Sequence, residues 1–156
     1  MIVNNVRLVL EHEVVTGSLE IREGRIASFS DSTSQLAGAL DGENAFLLPG
    51  LVELHTDNLD KFFTPRPKVD WPAHSAMSSH DALMVASGIT TVLDAIGVGD
   101  VRDGGHRIEN LSKMINAIQD SNRKGINRVD HHLHLRCELP HNTTLPLFEK
   151  LMSTPE

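Results

Sequence analysis

Short apolar or alternating stretches occur along residues 2–30, and this pattern predicts short β-strands. Residues 2–10 are apolar and β-branched, residues 18–22 alternate between polar and apolar, and residues 25–29 form a further strand candidate. Glu23-Gly24 supplies a two-residue turn between the last two stretches, so a β-hairpin is predicted. Residues 31–43 are rich in Ser, Gly and Asp and predict a loop.

The pattern then changes to long apolar segments separated by polar ones. Residues 45–54 form an almost continuous apolar run, which favours a strand buried on both faces, as in a parallel sheet. The later predicted elements are a helix over 79–87, a strand over 89–94, a helix over 108–124, a strand over 131–137 and a helix beginning at Thr144. Polar residues 55–75 and the four-glycine segment 97–105 are predicted as loops.

Alternation of strands and helices implies a parallel sheet with crossover helices. A doubly wound sheet is the alternative, but no glycine-rich dinucleotide or phosphate loop follows the first strand. Three strand–helix units are less than half of an eight-unit β/α barrel, which takes ~250 residues. The 156-residue chain is therefore expected to be part of a larger barrel enzyme.

Composition narrows the functional classes. A net charge of −7, no Tyr and a single Trp argue against a nucleic-acid partner, which would require clustered positive charge and stacking platforms. No apolar run approaches the ~20 residues of a membrane helix, and the N-terminus lacks the features of a signal peptide. The single cysteine, Cys137, excludes an internal disulfide. A cytoplasmic protein without a membrane partner is expected.

Candidate metal ligands occur where a predicted strand ends, which is where barrel enzymes place catalytic groups. His55 and Asp57 are two residues apart and point to one face of an extended chain. Imidazole and carboxylate together suit zinc or manganese. The alternative is a surface loop in which the pair is incidental.

The third strand of the predicted sheet ends at a further candidate, Glu138. It shares its face with His132, His134 and Arg136, and a carboxylate there could bridge two metals; an exposed strand terminus is the alternative. The two histidines lie deeper in the strand, so interior hydrogen bonds with Arg136 are expected for them. Asp94, at the end of the second strand, is expected to cap a turn, with orientation of a metal ligand as the alternative.

Three basic residues, Lys61, Arg66 and Lys68, follow the first metal pair. They are interpreted as a phosphate clamp beside the metal, because the compact ammonium group of Lys and the planar guanidinium group of Arg are both suited to bind phosphate oxygens. A solvated charged loop is the alternative.

The segment Leu48–Asp57 resembles the start of the amidohydrolase-superfamily barrel. In that superfamily a Pro-Gly turn and a hydrophobic strand lead to a metal-binding His-x-His motif. Asp57 stands where the second histidine would be. Residues 55–67, 71–77 and 135–140 resemble the PhnM branch of that superfamily, and the resemblance covers essentially the whole chain.

This resemblance implies an α/β fold. Residues 1–48 would be β-rich strands of a small sandwich, and residues 49–156 the first three β/α units of an incomplete TIM-like (β/α)8 barrel. The superfamily's later histidines and final-strand aspartate have no counterpart here, so the general base is expected beyond residue 156. The chain alone is expected to be inactive and to bind metal weakly.

The implied activity belongs to phosphonate catabolism in the carbon–phosphorus lyase pathway. It is hydrolysis of a phosphoanhydride in ribose 1-methylphosphonate 5-triphosphate, with release of pyrophosphate. His55, Asp57 and Glu138 would be the ligands of an incompletely coordinated divalent ion, zinc or manganese, and the partner would be the phosphorylated ribose phosphonate.

Two other functions stay open, namely hydrolysis of a cyclic or sugar amide and a non-catalytic anion-binding module. Self-association is also expected, because a three-strand piece of a barrel leaves edges and apolar faces uncovered.

Overall fold

The computed structural model describes residues 1–100 and 107–153. The chain divides into two compact units, Met1–Pro49 and Gly50–Glu156. No helix among the described residues is long and apolar enough to cross a membrane.

The first unit is a five-stranded sheet in the described part of the chain. Its strands are β1 (Ile2–Val9), β2 (Val14–Arg22), β3 (Arg25–Ser30), β4 (Leu40–Asp41) and β5 (Phe46–Leu47). β1 pairs antiparallel with β2 and parallel with β4 and β5, while β2 and β3 form a hairpin. Glu23 and Gly24 both have positive φ, at 50° and 73°, as a two-residue hairpin turn of type I′ requires. The predicted hairpin is confirmed.

The second unit contains a parallel sheet of three described strands in the order β6-β7-β8, flanked by helices. The strands are β6 (Leu51–Thr56), β7 (Ile89–Val98) and β8 (Asp130–Cys137). The helices are α1 (Asn58–Phe63), α2 (Ala73–Ala86), α3 (Arg107–Arg123) and α4 (Thr144–Ser153). The predicted alternation of strands and helices after residue 50 is confirmed.

The helices cover one face of this sheet, called here the helix face. Ile96 and Val98 of β7 are buried there against Met77 of α2 and Met114 and Ile118 of α3. Strand partners in register point to the same side, so Leu135 and Cys137 of β8 pack into the same core. The opposite face, called the open face, presents the alternate residues of each strand.

The prediction of one strand buried on both faces over residues 45–54 was wrong. Pro49-Gly50 separates β5 from β6, and the side chains of Leu51, Val52 and Leu54 are 60%, 57% and 67% exposed. The physical reason is that β6 is an edge strand of the described sheet, so no described strand pairs with it on one side.

Other boundaries also differ from the prediction. α1 lies within the segment predicted as a loop, and α2 begins at Ala73, directly after Pro72, a residue compatible with a helix start. β7 continues past Asp94 because Ala95 to Val98 pair with β8. The predicted loop over 97–105 therefore starts later, and its residues from 101 onward lie outside the described part of the chain.

Candidate metal and phosphate site

Arg136 joins the two carboxylates predicted as metal ligands. From β8, its Nη1 donates a hydrogen bond to Asp57 Oδ1, which follows β6, and its Nη2 lies 3.0 Å from Glu138 Oε1. Parallel strands place their carboxyl ends at the same edge of the sheet, so Arg136 can contact Asp57, 79 positions away along the chain, as well as nearby Glu138. The structure therefore brings Asp57 and Glu138 together.

His55 lies in the same cluster on the open face. Its Nε2 is 3.7 Å from Asp57 Oδ1, and its ring contacts the His134 ring edge-on at a centroid distance of 4.9 Å. Both His55 and Asp57 have side chains that are 45% exposed. The three predicted ligands are thus in one partly open cluster, although their role as metal ligands is not tested by this geometry.

A second guanidinium extends the cluster. Arg107, the first residue of α3, places Nη1 3.4 Å from Glu138 Oε1 and Nε 3.5 Å from Asp60 Oδ2. Both arginines lie over Gly97 on β7, where an added Cβ would be 3.3 Å from Arg136 Nη2 and 3.7 Å from Arg107 Cδ. Absence of a side chain at residue 97 leaves the space that the guanidinium groups occupy.

The donor set of this cluster fits a divalent cation. One imidazole and two carboxylates are ligands that zinc and manganese accept, and both carboxylates already converge on one positive group, Arg136. A cation that bound here would replace the guanidinium as their counter-charge. His55, Asp57 and Glu138 are therefore compatible with a metal site.

The predicted phosphate clamp lies on the segment that follows β6. Lys61 is on α1, where its Nζ bonds Asn58 Oδ1 at 3.2 Å, and Arg66 and Lys68 follow in a turn closed by the Arg66–Val69 bridge. All three basic side chains are exposed, and Lys68 has a φ of 63°. The structure leaves them available to a ligand but does not test that role.

A buried network on the helix face was not predicted from the sequence. Asp94 on β7 pairs through Oδ1 with His80 Nε2 at 2.6 Å and through Oδ2 with His131 Nδ1 at 2.7 Å. His131 Nε2 is 3.5 Å from Asp81 Oδ1, and Arg128 Nε donates to Asp81 Oδ2 at 2.9 Å. The side chains of His80, Asp94 and His131 are fully buried.

Both carboxyl groups of this network are held in the charged form. Desolvation raises the pKa of Asp94, but the hydrogen bonds from His131 and His80 and their charges outweigh it and lower the pKa below its ordinary value. The pKa of Asp81 is also lowered, because the Arg128 side chain and the backbone N–H groups of Arg128 and Val129 outweigh desolvation.

His80, Asp94 and His131 could in principle hold a metal ion, since one ligand atom of each lies within 4.8 Å of the others. Their separations argue against it. Two donors at ~2.0–2.1 Å from a tetrahedral zinc ion would be ~3.3 Å apart, whereas these imidazole and carboxylate atoms are 2.6 and 2.7 Å apart. Those are hydrogen-bond distances, so we interpret the group as a hydrogen-bonded network.

Two expectations about single residues were therefore wrong. Asp94 does not cap a turn, because β7 continues beyond it and its side chain enters the core. His132 is exposed on the open face and His134 is only half-buried, because no helix covers that face in the described chain. The buried histidine of β8 is His131, and its signal was its shared parity with apolar Leu133 and Leu135.

Comparison with known proteins extends these observations. No family model matches the chain. Over 152 residues, 97% of its length, it is 74% identical to the α-D-ribose 1-methylphosphonate 5-triphosphate diphosphatase of Escherichia coli K12, and it spans 40% of that relative. A crystal structure of a D-hydantoinase, at 20% identity, matches 97% of this chain and 30% of that chain with a TM-score of 0.52, which shows similarity of fold alone.

The resemblance predicted from residues 55–67, 71–77 and 135–140 is confirmed: this chain is similar over nearly its whole length to the E. coli diphosphatase.

Proposed function

We propose that this chain contributes the metal site of a diphosphatase that acts on α-D-ribose 1-methylphosphonate 5-triphosphate in phosphonate catabolism. The observation that carries the proposal is the clustering of His55, Asp57 and Glu138 in a chain 74% identical to a diphosphatase of that name. The reaction would cleave a phosphoanhydride bond, releasing pyrophosphate and leaving a ribose phosphonate 5-phosphate.

The fold proposal follows from the same comparisons. We propose that β6 to β8 and their helices are the first three β/α units of a TIM-like barrel, with the strands of residues 1–48 as part of a small sandwich. Similarity of fold to the D-hydantoinase supports this assignment. The open face of β6 to β8 would then be the interior of the barrel, where the candidate cluster lies.

The residues of the cluster would have separate roles. His55, Asp57 and Glu138 would hold a divalent ion, zinc or manganese, which supplies activation of water and neutralisation of negative charge on phosphate oxygens. Lys61, Arg66 and Lys68 would bind the outer phosphates through charge-assisted hydrogen bonds. Solvent reaches both groups, since the three basic residues are exposed and the side chains of His55 and Asp57 are each 45% exposed.

The remaining proposals concern the setting of the enzyme. A phosphorylated sugar substrate and the lone Cys137 are in keeping with a cytoplasmic location. Neither a nucleic acid nor a membrane is proposed as a partner, since the net charge is −7.

The test is an activity assay on a graft, in which this sequence replaces the matched 152 residues of the E. coli relative. We expect pyrophosphate release from the ribose triphosphate substrate, loss of that release in Asp57→Ala, and retention in Asp130→Ala, an exposed carboxylate at the start of β8. Hydrolysis of a cyclic amide in place of the triphosphate would favour the amide alternative. Phosphate binding without hydrolysis of either substrate would favour the anion-binding module.

A further inference from the structure

We propose that Arg136 and Arg107 form a pair that binds phosphate. The pair becomes available to phosphate when a divalent cation binds the carboxylates of Asp57 and Glu138, which the arginines otherwise contact. Cation and phosphate would then bind cooperatively. This inference rests on the proposed function and deepens it, because it assigns the inner phosphate contacts to two residues distinct from the exposed Lys61, Arg66 and Lys68.

The geometry of Arg136 supports this assignment. Its guanidinium forms a fork whose two terminal nitrogens contact the carboxylates of Asp57 and Glu138, and its Nε is buried without a hydrogen-bond partner in the described structure. A guanidinium fork matches the spacing of phosphate oxygens as well as that of carboxylate oxygens. Arg136 therefore has both the shape and an unused donor for an oxyanion.

Arg107 of α3 lies in the same cluster as Arg136. It contacts Glu138 at 3.4 Å and Asp60 at 3.5 Å, and both arginines lie over Gly97. Arg136 is on a strand and Arg107 on a helix of 17 residues, so both are supported by regular structure. Such positions hold a ligand in a more defined place than an exposed turn does.

Charge explains why a cation would control the pair. Two guanidinium groups lie among three carboxylates, those of Asp57, Asp60 and Glu138, which leaves one net negative charge with neutral histidines. A phosphate ion would be repelled from this arrangement and would have to break existing ion pairs. One divalent cation reverses the net charge and competes for the carboxylates, so the guanidinium donors become available.

The test is a calorimetric titration of inorganic phosphate into the grafted enzyme at low ionic strength, with and without Mn²⁺. We expect phosphate to bind at least tenfold more tightly with Mn²⁺. Arg136→Ala and Arg107→Ala should each lose most of that gain, and Arg136→Lys should retain part of it, because Lys keeps the charge and loses the fork. Arg123→Ala, on the exposed end of α3, is the matched control and should behave as the parent protein.

A variant that lacks one carboxylate tests the two arginines without a metal ion. Glu138→Gln removes the negative charge of the partner that both arginines share, so it should bind phosphate more tightly than the parent protein when Mn²⁺ is absent. Unchanged phosphate affinity in Arg136→Ala and Arg107→Ala, or no metal-free gain in Glu138→Gln, would overturn the inference. Failure of the parent protein to bind Mn²⁺ would instead count against the proposed metal site, and the Glu138→Gln result would still decide the role of the arginines.

Discussion

Asp94 of β7 pairs with His131 Nδ1 of β8 at 2.7 Å on the helix face, and the carboxylate–arginine cluster lies on the opposite, open face of the same sheet. Its second oxygen pairs with His80, so one carboxylate links β7, β8 and α2. Thr56, which lies between His55 and Asp57, is the register partner of Asp94 across β6 and β7. The buried network therefore supports the strands whose ends carry the candidate ligands.

Replacing Asp94 with Asn should destabilise the chain by about 3–5 kcal/mol, the cost of removing one partner from a buried charged network. The two imidazoles pair with different oxygens of Asp94, and an amide replaces one of those oxygens with an NH2 donor, so one imidazole loses its acceptor. Asp130→Asn, an exposed neighbour of His131, is the control and should change stability by less than about 0.5 kcal/mol. Urea unfolding followed by circular dichroism measures both; equal midpoints for the two variants would refute the role assigned to Asp94.

The same carboxyl groups predict a pH dependence of stability. The pKa values of Asp94 and Asp81 are lowered in the folded chain from the ordinary 3.8. The unfolded chain then takes up protons first on acidification, so their contribution is complete above about pH 4 and is lost as the pH falls through the lowered values. The parent chain should lose stability below pH 4 more steeply than Asp94→Asn. Identical acid profiles would contradict this.

Local sequence patterns predict only part of this structure. The hairpin and the strand–helix alternation depend on local periodicity and turn residues, and the face shared by His134, Arg136 and Glu138 depends on strand parity. Arg107 and His80 were not predicted because they reach their partners from helices. Arg107 is 31 residues from Glu138 along the chain. The spacing of apolar residues predicts which face of a helix is buried, but it does not predict which strand residue a given helix residue contacts.

Parity also explains the error over the histidines of β8. The His-x-His pattern favours His132 and His134, yet the adjacent His131 alternates with Leu133 and Leu135 and is the buried histidine of the strand. The burial of Asp94 could not be predicted, because a carboxylate enters a core only with partners, and His131 is 37 residues away along the chain.

Glu138→Gln should weaken Mn²⁺ or Zn²⁺ binding to the grafted enzyme by at least about tenfold. Loss of a supporting residue around a metal costs 10–100-fold in affinity, and loss of a direct ligand should cost no less. The control is Glu149→Gln, an exposed carboxylate on α4. Calorimetry or competition with a chelating dye measures the affinity, and a Glu138→Gln variant that binds as tightly as the control would remove Glu138 from the ligand set.

The exposed clamp predicts a different kinetic effect. In the grafted enzyme, alanine at Lys61, Arg66 or Lys68 should lower kcat/KM by the equivalent of about 1.5–3 kcal/mol for each lost charge-assisted phosphate contact. Lys124→Ala, a comparably exposed cation after α3, should have no effect. Steady-state kinetics with the ribose triphosphate compares these variants with the control. If all three clamp variants have the kcat/KM of the parent enzyme, these residues belong to a solvated turn and do not bind phosphate.

Self-association of this chain by itself is the last expectation, and the structure gives it a location. In the described sheet β6 and β8 are both edge strands, so each has unpaired backbone groups along one side. β6 also exposes Val52 and Leu54, at 57% and 67%, which adds apolar surface to one of these edges. A second copy can cover both features by pairing edge to edge.

Sedimentation of the chain by itself should therefore show dimers or larger species. The Leu54→Lys variant should shift this distribution toward monomer, because a charged edge opposes strand addition. A compact monomer at all concentrations, with or without the lysine, would show that the edge is already protected.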